Sequence, residues 1–294
     1  MTSFSYLYDL LITPFTDFAF MRRALVGSIA LSIGACPIGV FLMLRRMSLV
    51  GDAMAHAILP GAALGYLFAG LSLGFMTAGG LIAGFVVALL AGLVTRVTIL
   101  KEDAALASFY LISLAGGVVL VSLRGSNVDL LHVLFGSVLA LDDNTLILLA
   151  ASLSVSLLSL AVLFRPLVLE CVDPLFLRTV SKSGSLSHFG FLALVVLNLV
   201  AGFHALGTLL SVGIMMVPAF AARFWSSTLD GMIAIATLIG ILSSSFGIVI
   251  SYHAGTPTGP TIILSAGALY LLSILFGQRN GLILRLLPRK HLAA

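Results

Sequence analysis

The stretch Arg45–Gly61, "RRMSLVGDAMAHAILPG", puts two basic residues ahead of an apolar helical run, then sets Asp52 and His56 four residues apart inside it. A basic pair is a common anchor at a membrane surface. The run behind it extends to Gly70, about the 20 residues a helix needs to cross a hydrocarbon core. Outward from this stretch, charge-free apolar runs recur at Ala24–Leu44, Leu73–Thr95, Ala104–Leu123, Thr145–Phe164, Leu206–Ala222, Gly231–Tyr252 and Thr256–Gln278. Leu186–Phe203 is one more, interrupted only by His188. None has the alternating polar positions of a membrane β-barrel strand. The sequence therefore predicts an all-α, polytopic transmembrane helical bundle of eight to nine spans. The count depends on Gly202–Ala205, which either separates two spans or marks one broken or re-entrant helix.

Composition agrees. The chain is 60% hydrophobic and 9% charged, with a mean hydropathy of +1.20, whereas soluble domains carry roughly 25% charged residues. Residues 1–294 read as a single transmembrane domain, without a soluble domain, internal repeat or low-complexity segment.

Basic residues gather on the cytoplasmic side of membrane proteins. With the C-terminal tail placed inside and nine spans alternating, only Arg22, Arg23 and Arg124 of the 15 Lys and Arg residues fall outside. The Arg22–Arg23 pair is the weak point of that topology. The net charge of +4 follows from orientation and implies no nucleic-acid partner. Cys36 lies within a span and Cys171 in an expected cytoplasmic loop, so no disulfide framework is implied. "IGAC" before Pro37 is similar to a lipoprotein cleavage box, but no basic leader precedes it and more apolar chain follows, so no cleaved signal is expected.

The longest polar interruption is expected at Arg165–Ser185. Within it Asp173 and Pro174 suit an N-cap and first helical position. Leu175, Phe176 and Val180 form a small apolar face beside Arg178 and Lys182. Such a helix either docks on another protein or lies on lipid headgroups. Elsewhere, Gly61 and Gly65, Gly70 and Gly74, and Gly80 and Gly84 are spaced for close helix contact.

Positions i and i+4 share a helix face, so Asp52 and His56 can address one point in space. An aspartate at the centre of a membrane helix costs about 2.5–3.5 kcal/mol on insertion scales and calls for a partner. A carboxylate with an imidazole suits Zn²⁺ or Mn²⁺. Pro60 has no N–H for the carbonyl of His56, so a kink and a free acceptor are expected there. Two plainer readings stay open: Asp52 caps the helix near Gly51, and His56 is an interhelical hydrogen-bonding residue. One chain offers two ligands where Zn²⁺ usually takes four. A two-fold homodimer would supply two Asp and two His. Pro37 and Pro218 likewise free the carbonyls of Ile33 and Ile214 and mark either flexible points or static kinks, the commoner case.

The same Arg45–Gly61 stretch closely resembles the second-helix motif of the zinc/manganese permeases of bacterial ABC transporters. "GTLLSVGIMMVPAFAARF" (Gly207–Phe224) and "SYHAGTPTGPTIIL" (Ser251–Leu264) agree at matching positions, so the resemblance runs from about Arg22 to Gly277. It implies a homodimeric permease of the bacterial cytoplasmic membrane. An extracytoplasmic binding protein would deliver the metal and two cytoplasmic ATPase subunits would drive the cycle. It also implies that Asp52 and His56 are membrane-embedded metal ligands. The ATPase-docking coupling helix would fall on Asp173–Ser181, with Asp173, Phe176 and Arg178 transmitting its movement.

No permanently bound cofactor is implied; the transported ion is zinc first and manganese second. None of Lys101, Lys182 and Lys290 follows a glycine, so the P-loop pattern is absent and ATP hydrolysis must come from another chain. His132, His204 (in the "GFHALG" turn) and His253 fall toward the outer face and form a possible capture vestibule, which favours zinc. His188 and His291 read as ordinary loop residues. The rivals are a proton-coupled secondary metal transporter, with Asp52 and His56 as a relay, and an intramembrane enzyme, for which no H-E-x-x-H motif exists.

Overall fold

The computed structural model describes residues 12–70, 72–123, 138–172, 183–279 and 281–283. Ten α-helices occur among them: α1 (Thr13–Asp17), α2 (Ala19–Leu44), α3 (Val50–Ala69), α4 (Leu73–Val97), α5 (Glu102–Leu123), α6 (Asp143–Val172), α7 (Ser183–Leu206), α8 (Thr208–Ala222), α9 (Leu229–Ala254) and α10 (Thr258–Phe276). A 3-10 turn at Val138–Ala140 precedes α6, and no strand occurs among the described residues. Each of the nine apolar runs becomes one of the nine long helices. Six of these, α2, α4, α6, α7, α9 and α10, are long and apolar enough to cross a membrane. In α5 the apolar part is Asp103–Val119, and α8 has only 15 residues.

Two helices form the centre. In α2 and α7, 72% of the apolar window is buried, against 22% in α6 and 28% in α10, so the latter turn most of their surface outward. Phe41 of α2 stands edge-on to Phe164 of α6 at 5.9 Å and to Phe191 of α7 at 6.2 Å between ring centroids. Short α8 is buried along most of its length against α2, α9 and α10. Lipid supplies no hydrophobic drive between helices, so contact depends on close packing. Gly39 of α2 lies against the Met215 carbonyl of α8, and Gly61 and Gly65 of α3 lie against Gly79 and Phe75 of α4. Gly80 and Gly84 take Ile58, Val196 and Val200. By contrast Gly70 and Gly74 meet nothing, and Gly70 simply ends α3 at φ 63°.

Three expectations need correction. The chain does not break at Gly202–Ala205; α7 continues to Leu206 and the break is the single residue Gly207, at φ 90°. Only glycine enters that region readily, whereas Ala205 and Leu206 favour helix. The interruption expected at Arg165–Ser185 does not span that whole stretch, because α6 runs through Pro166 to Val172 and α7 starts at Ser183. Leu167 is fully buried there, and Glu170 is paired inside the bundle. His188 is therefore no loop residue; it lies in α7.

The prolines at 37, 60, 166 and 218 all lie inside continuous helices. The Ile214 carbonyl, freed by Pro218, accepts the Cys36 thiol at 3.3 Å, which fixes that point rather than leaving it loose. The Arg22–Arg23 pair is also held. Arg22 donates to the carbonyls of Phe15 and Thr16, and Arg23 pairs with Asp143 at 3.0 Å.

Candidate functional site on the third helix

Helix α3 starts where Arg46, at φ 59°, turns the chain out of α2. Its N-cap is Leu49, without a side-chain cap, so Asp52 sits inside the first turn and does not cap the helix. An acidic side chain there is favoured by the helix dipole. One turn on, His56 Nε2 stands 3.7 Å from Asp52 Oδ1. That is too long for a hydrogen bond but close enough for both atoms to address one cation. Their side chains are 64% and 34% exposed, so the pair opens outward from the chain rather than into its core.

The His56 ring stacks on Tyr110 of α5, with centroids 5.9 Å apart and planes at 27°. Tyr110, Asp103, Leu106 and Ala107 share one face of α5. With Leu49, Val50, Asp52 and Ala53 of α3 they line a small pocket of about 110 Å³. Sequence reading missed Asp103 and Tyr110. The available signal was their i, i+7 spacing with an acid at the head of an apolar helix. Among the described residues no group of three or more His, Cys, Asp and Glu could hold a metal ion. One chain thus brings together two donors.

With metal–ligand bonds of ~2.0–2.2 Å, donors 3.7 Å apart subtend roughly 115–135° at an ion. That is wider than the tetrahedral angle, so gripping an ion would draw the side chains a few tenths of an ångström together. Behind the site, the backbone of α3 is set by α4 through the Gly61–Gly79 approach. On the other side, Pro60 packs on Gly117 of α5, and Ser113 Oγ donates to the Ala57 carbonyl at 3.4 Å.

Of the candidate outer residues, His204 and His253 are among those described. His204 is not in a turn but in the last turn of α7. Its Nδ1 bonds the Val200 carbonyl at 2.9 Å, and Nε2 is buried without a hydrogen-bond partner. His253 is exposed in the last turn of α9, edge-on to Tyr252. His132 lies outside the described residues, as do Asp173, Phe176, Arg178 and the expected coupling helix. The nearby aspartates already have partners. Asp142 accepts the backbone N–H of Thr145 at 3.0 Å and its hydroxyl, which holds the carboxyl below its ordinary range, and Asp143 takes Arg23.

Comparison with known proteins places this arrangement in context. A family model described as the ABC 3 transport family matches residues 17–277. "Manganese import system permease protein ScaB" of Streptococcus parasanguinis is 32% identical over 274 residues, 92% of this chain and 96% of that protein. "Manganese transport system membrane protein MntC" of Halalkalibacterium halodurans is 31% identical, covering 97% and 95%. "Probable iron transport system membrane protein" of Haemophilus influenzae is 30% identical, covering 92% and 98%. Among solved structures, PsaBC from Streptococcus pneumoniae in complex with Fab matches with a TM-score of 0.81 at 29% identity. That match covers 94% of this chain and 98% of the other.

Proposed function

The chain belongs to the ABC 3 transport family, and from that premise we propose that it is the permease subunit of an ATP-driven importer of divalent transition-metal ions. Manganese is the leading cargo and zinc the second. Relatives named for manganese, and one for iron, reverse the order that the histidines alone suggested. The observation that carries the reading is Asp52 Oδ1 and His56 Nε2, 3.7 Å apart on one face of the apolar helix α3 and exposed to the outside of the chain. They are transient ligands of the passing ion. A two-fold homodimer apposing two such faces supplies two carboxylates and two imidazoles. A set shared between subunits is disrupted by small relative movements, and that favours release over permanent retention.

In this proposal the nine long helices are the spans, with α8 the short member of the α7–α8 pair. Separate ATPase subunits on the cytoplasmic side hydrolyse ATP and dock at residues 173–181, with Asp173, Phe176 and Arg178 in contact. An extracytoplasmic binding protein delivers the ion, and the bacterial cytoplasmic membrane houses the assembly. His132, His204 and His253 are secondary at most, since His204 spends one nitrogen on its own helix.

The test is metal uptake by cells lacking their own high-affinity importers. The permease is supplied with its ATPase and binding protein and compared with Asp52→Asn and His56→Ala. Manganese accumulation that disappears in both variants, at wild-type membrane levels, is the expected outcome. Unchanged uptake in both would remove the ligand assignment. Uptake by the chain alone, driven by a pH gradient, would replace the importer reading with the secondary-transporter one.

A further inference from the structure

One buried charge ties three helix ends together where α2 stops. The Arg45 guanidinium, 7% exposed, donates through Nη2 to Glu170 Oε1 at 2.8 Å and to His188 Nδ1 at 2.7 Å. Glu170, 10% exposed, accepts Ser187 Oγ on its other oxygen at 3.1 Å. Arg45 Cζ also lies 4.9 Å from the centroid of the Phe191 ring. His188 Nδ1 also stands 3.4 Å from Glu170 Oε1, so the three side chains converge on one point.

Stability alone does not account for this cluster. Buried ion pairs can usually be replaced by apolar residues of similar volume without loss. Glu170 lies in the last turn of α6, at the end where the helix dipole disfavours a negative charge. Arg45 Nη1 is buried without a partner as well. The placement suggests another role. Arg45 is followed at once by Arg46, whose left-handed backbone is the one such non-glycine case among the described residues. The chain then enters α3 and reaches Asp52. On the other side, Glu170 and the Ser187–His188 pair flank residues 173–182 before and after. A strained turn held by packed charges has few arrangements open to it, so its neighbours move as a unit.

We propose that Arg45, Glu170 and His188 are positioning residues forming a charge clamp, which carries displacement of the facing ends of α6 and α7 to the α2–α3 turn and so to Asp52 and His56. The clamp rests on the permease reading above. It contributes no ligand to the ion; it sets where α3 stands.

The test uses the permease assembled with its ATPase in proteoliposomes and supplied with its binding protein, with Mn²⁺ as the probe. The readout is ions moved per ATP hydrolysed, beside the melting temperature of the complex. Glu170→Gln leaves the buried guanidinium uncompensated and lowers the melting temperature. The apolar triple variant Arg45→Met, Glu170→Met, His188→Leu recovers it. In that variant ATP hydrolysis persists, while Mn²⁺ per ATP falls at least about fivefold, the lower edge of common couplings between sites.

A triple variant with the wild-type ratio would make the cluster structural and overturn the clamp. If the triple variant does not assemble, Glu170→Asp decides. It keeps the charge but withdraws the carboxylate by one methylene, and an unchanged ratio there also overturns the clamp. Absence of ATP-dependent Mn²⁺ movement by the wild-type complex would overturn the permease reading and the clamp together. Wild-type transport with unaltered variants overturns the clamp alone.

Discussion

Replacing Gly61 by alanine tests how tightly α3 is seated. The added Cβ would fall inside the Gly79 carbonyl oxygen of α4 and 2.5 Å from Ala83 Cβ. Neither obstacle can swing aside, because one is backbone and the other a methyl fixed to it. Restoring ordinary contact requires the helices to part by about 1 Å, and overpacking of this kind costs about 1–3 kcal/mol. At roughly 2–4 °C per kcal/mol for a chain of this size, the melting temperature should fall by about 2–12 °C. Gly74→Ala is the control. Its Cβ would meet nothing within 4 Å, and alanine favours helix over glycine by roughly 0.5–1 kcal/mol. The assay is thermal unfolding of the detergent-solubilised complex, followed by size-exclusion fluorescence, with manganese uptake measured in parallel. Gly61→Ala should lose uptake as well as stability, because moving α3 off α4 carries Asp52 and His56 with it. Equal melting of Gly61→Ala and wild type, or a larger loss at Gly74→Ala, would refute the packing argument.

Three further outcomes follow from separate contacts. Asp142→Ala removes the cap of α6 and should cost about 0.5–2 kcal/mol, at the low end because the site is exposed. Folding lowers the Asp142 pKa, so this contribution is fully present above the unfolded value of ~3.9 and is lost as pH falls through the folded one. Melting curves of the two proteins should converge on acidification below about pH 4, and a constant gap down to pH 2 would contradict the assignment. Cys36→Ala strands the Ile214 carbonyl that Pro218 leaves unpaired, costing about 1–3 kcal/mol. Cys36→Ser retains a donor and should recover most of it in the same melt. Tyr110→Ala removes the ring stacked on His56 and should weaken manganese uptake at low external metal, while His204→Ala leaves it intact. The reverse order would move the search to the outer face.

The helices are legible because a bilayer demands about 20 apolar residues per crossing: each of the nine apolar runs is helical, and six of those helices are long and apolar enough to cross a membrane. Charges near helix ends were the harder part. A polar stretch reads as an interruption between spans, and Arg165–Ser185 reads as one that holds a short amphipathic helix. Yet Glu170 is held inside the bundle by Arg45, a residue 125 positions away whose pairing no local pattern announces. His188 was misread for the same reason. Around Gly202–Ala205 the error was one of position: "GFHALG" contains two glycines, and the positive φ falls on the second, Gly207. At the site, helical spacing puts Asp52 and His56 on one face, where they stand 3.7 Å apart, but their reading as metal ligands comes from the family resemblance and not from the spacing. Tyr110 was not legible, because stacking across α3 and α5 depends on how those helices cross.

The polar groups within the bundle fall into two kinds. Several hydroxyls satisfy themselves on their own helix: Ser32, Ser211, Ser244 and Ser273 each donate to the carbonyl four residues back. Such residues cost little in a membrane and need no outside partner. A carboxylate has no proton to offer a carbonyl, so a membrane aspartate must find a donor or a cation. Glu170 has found Arg45 and Ser187 at hydrogen-bond distance. Asp52 has His56 at 3.7 Å, beyond that distance, and remains well exposed. Of the two carboxylates, Glu170 is thus satisfied from within the chain, whereas Asp52 keeps its capacity for an incoming cation. An under-satisfied aspartate is costly in a bundle this apolar, and a carboxylate with an imidazole one turn away is a donor pair better suited to a transition metal than to an alkali ion.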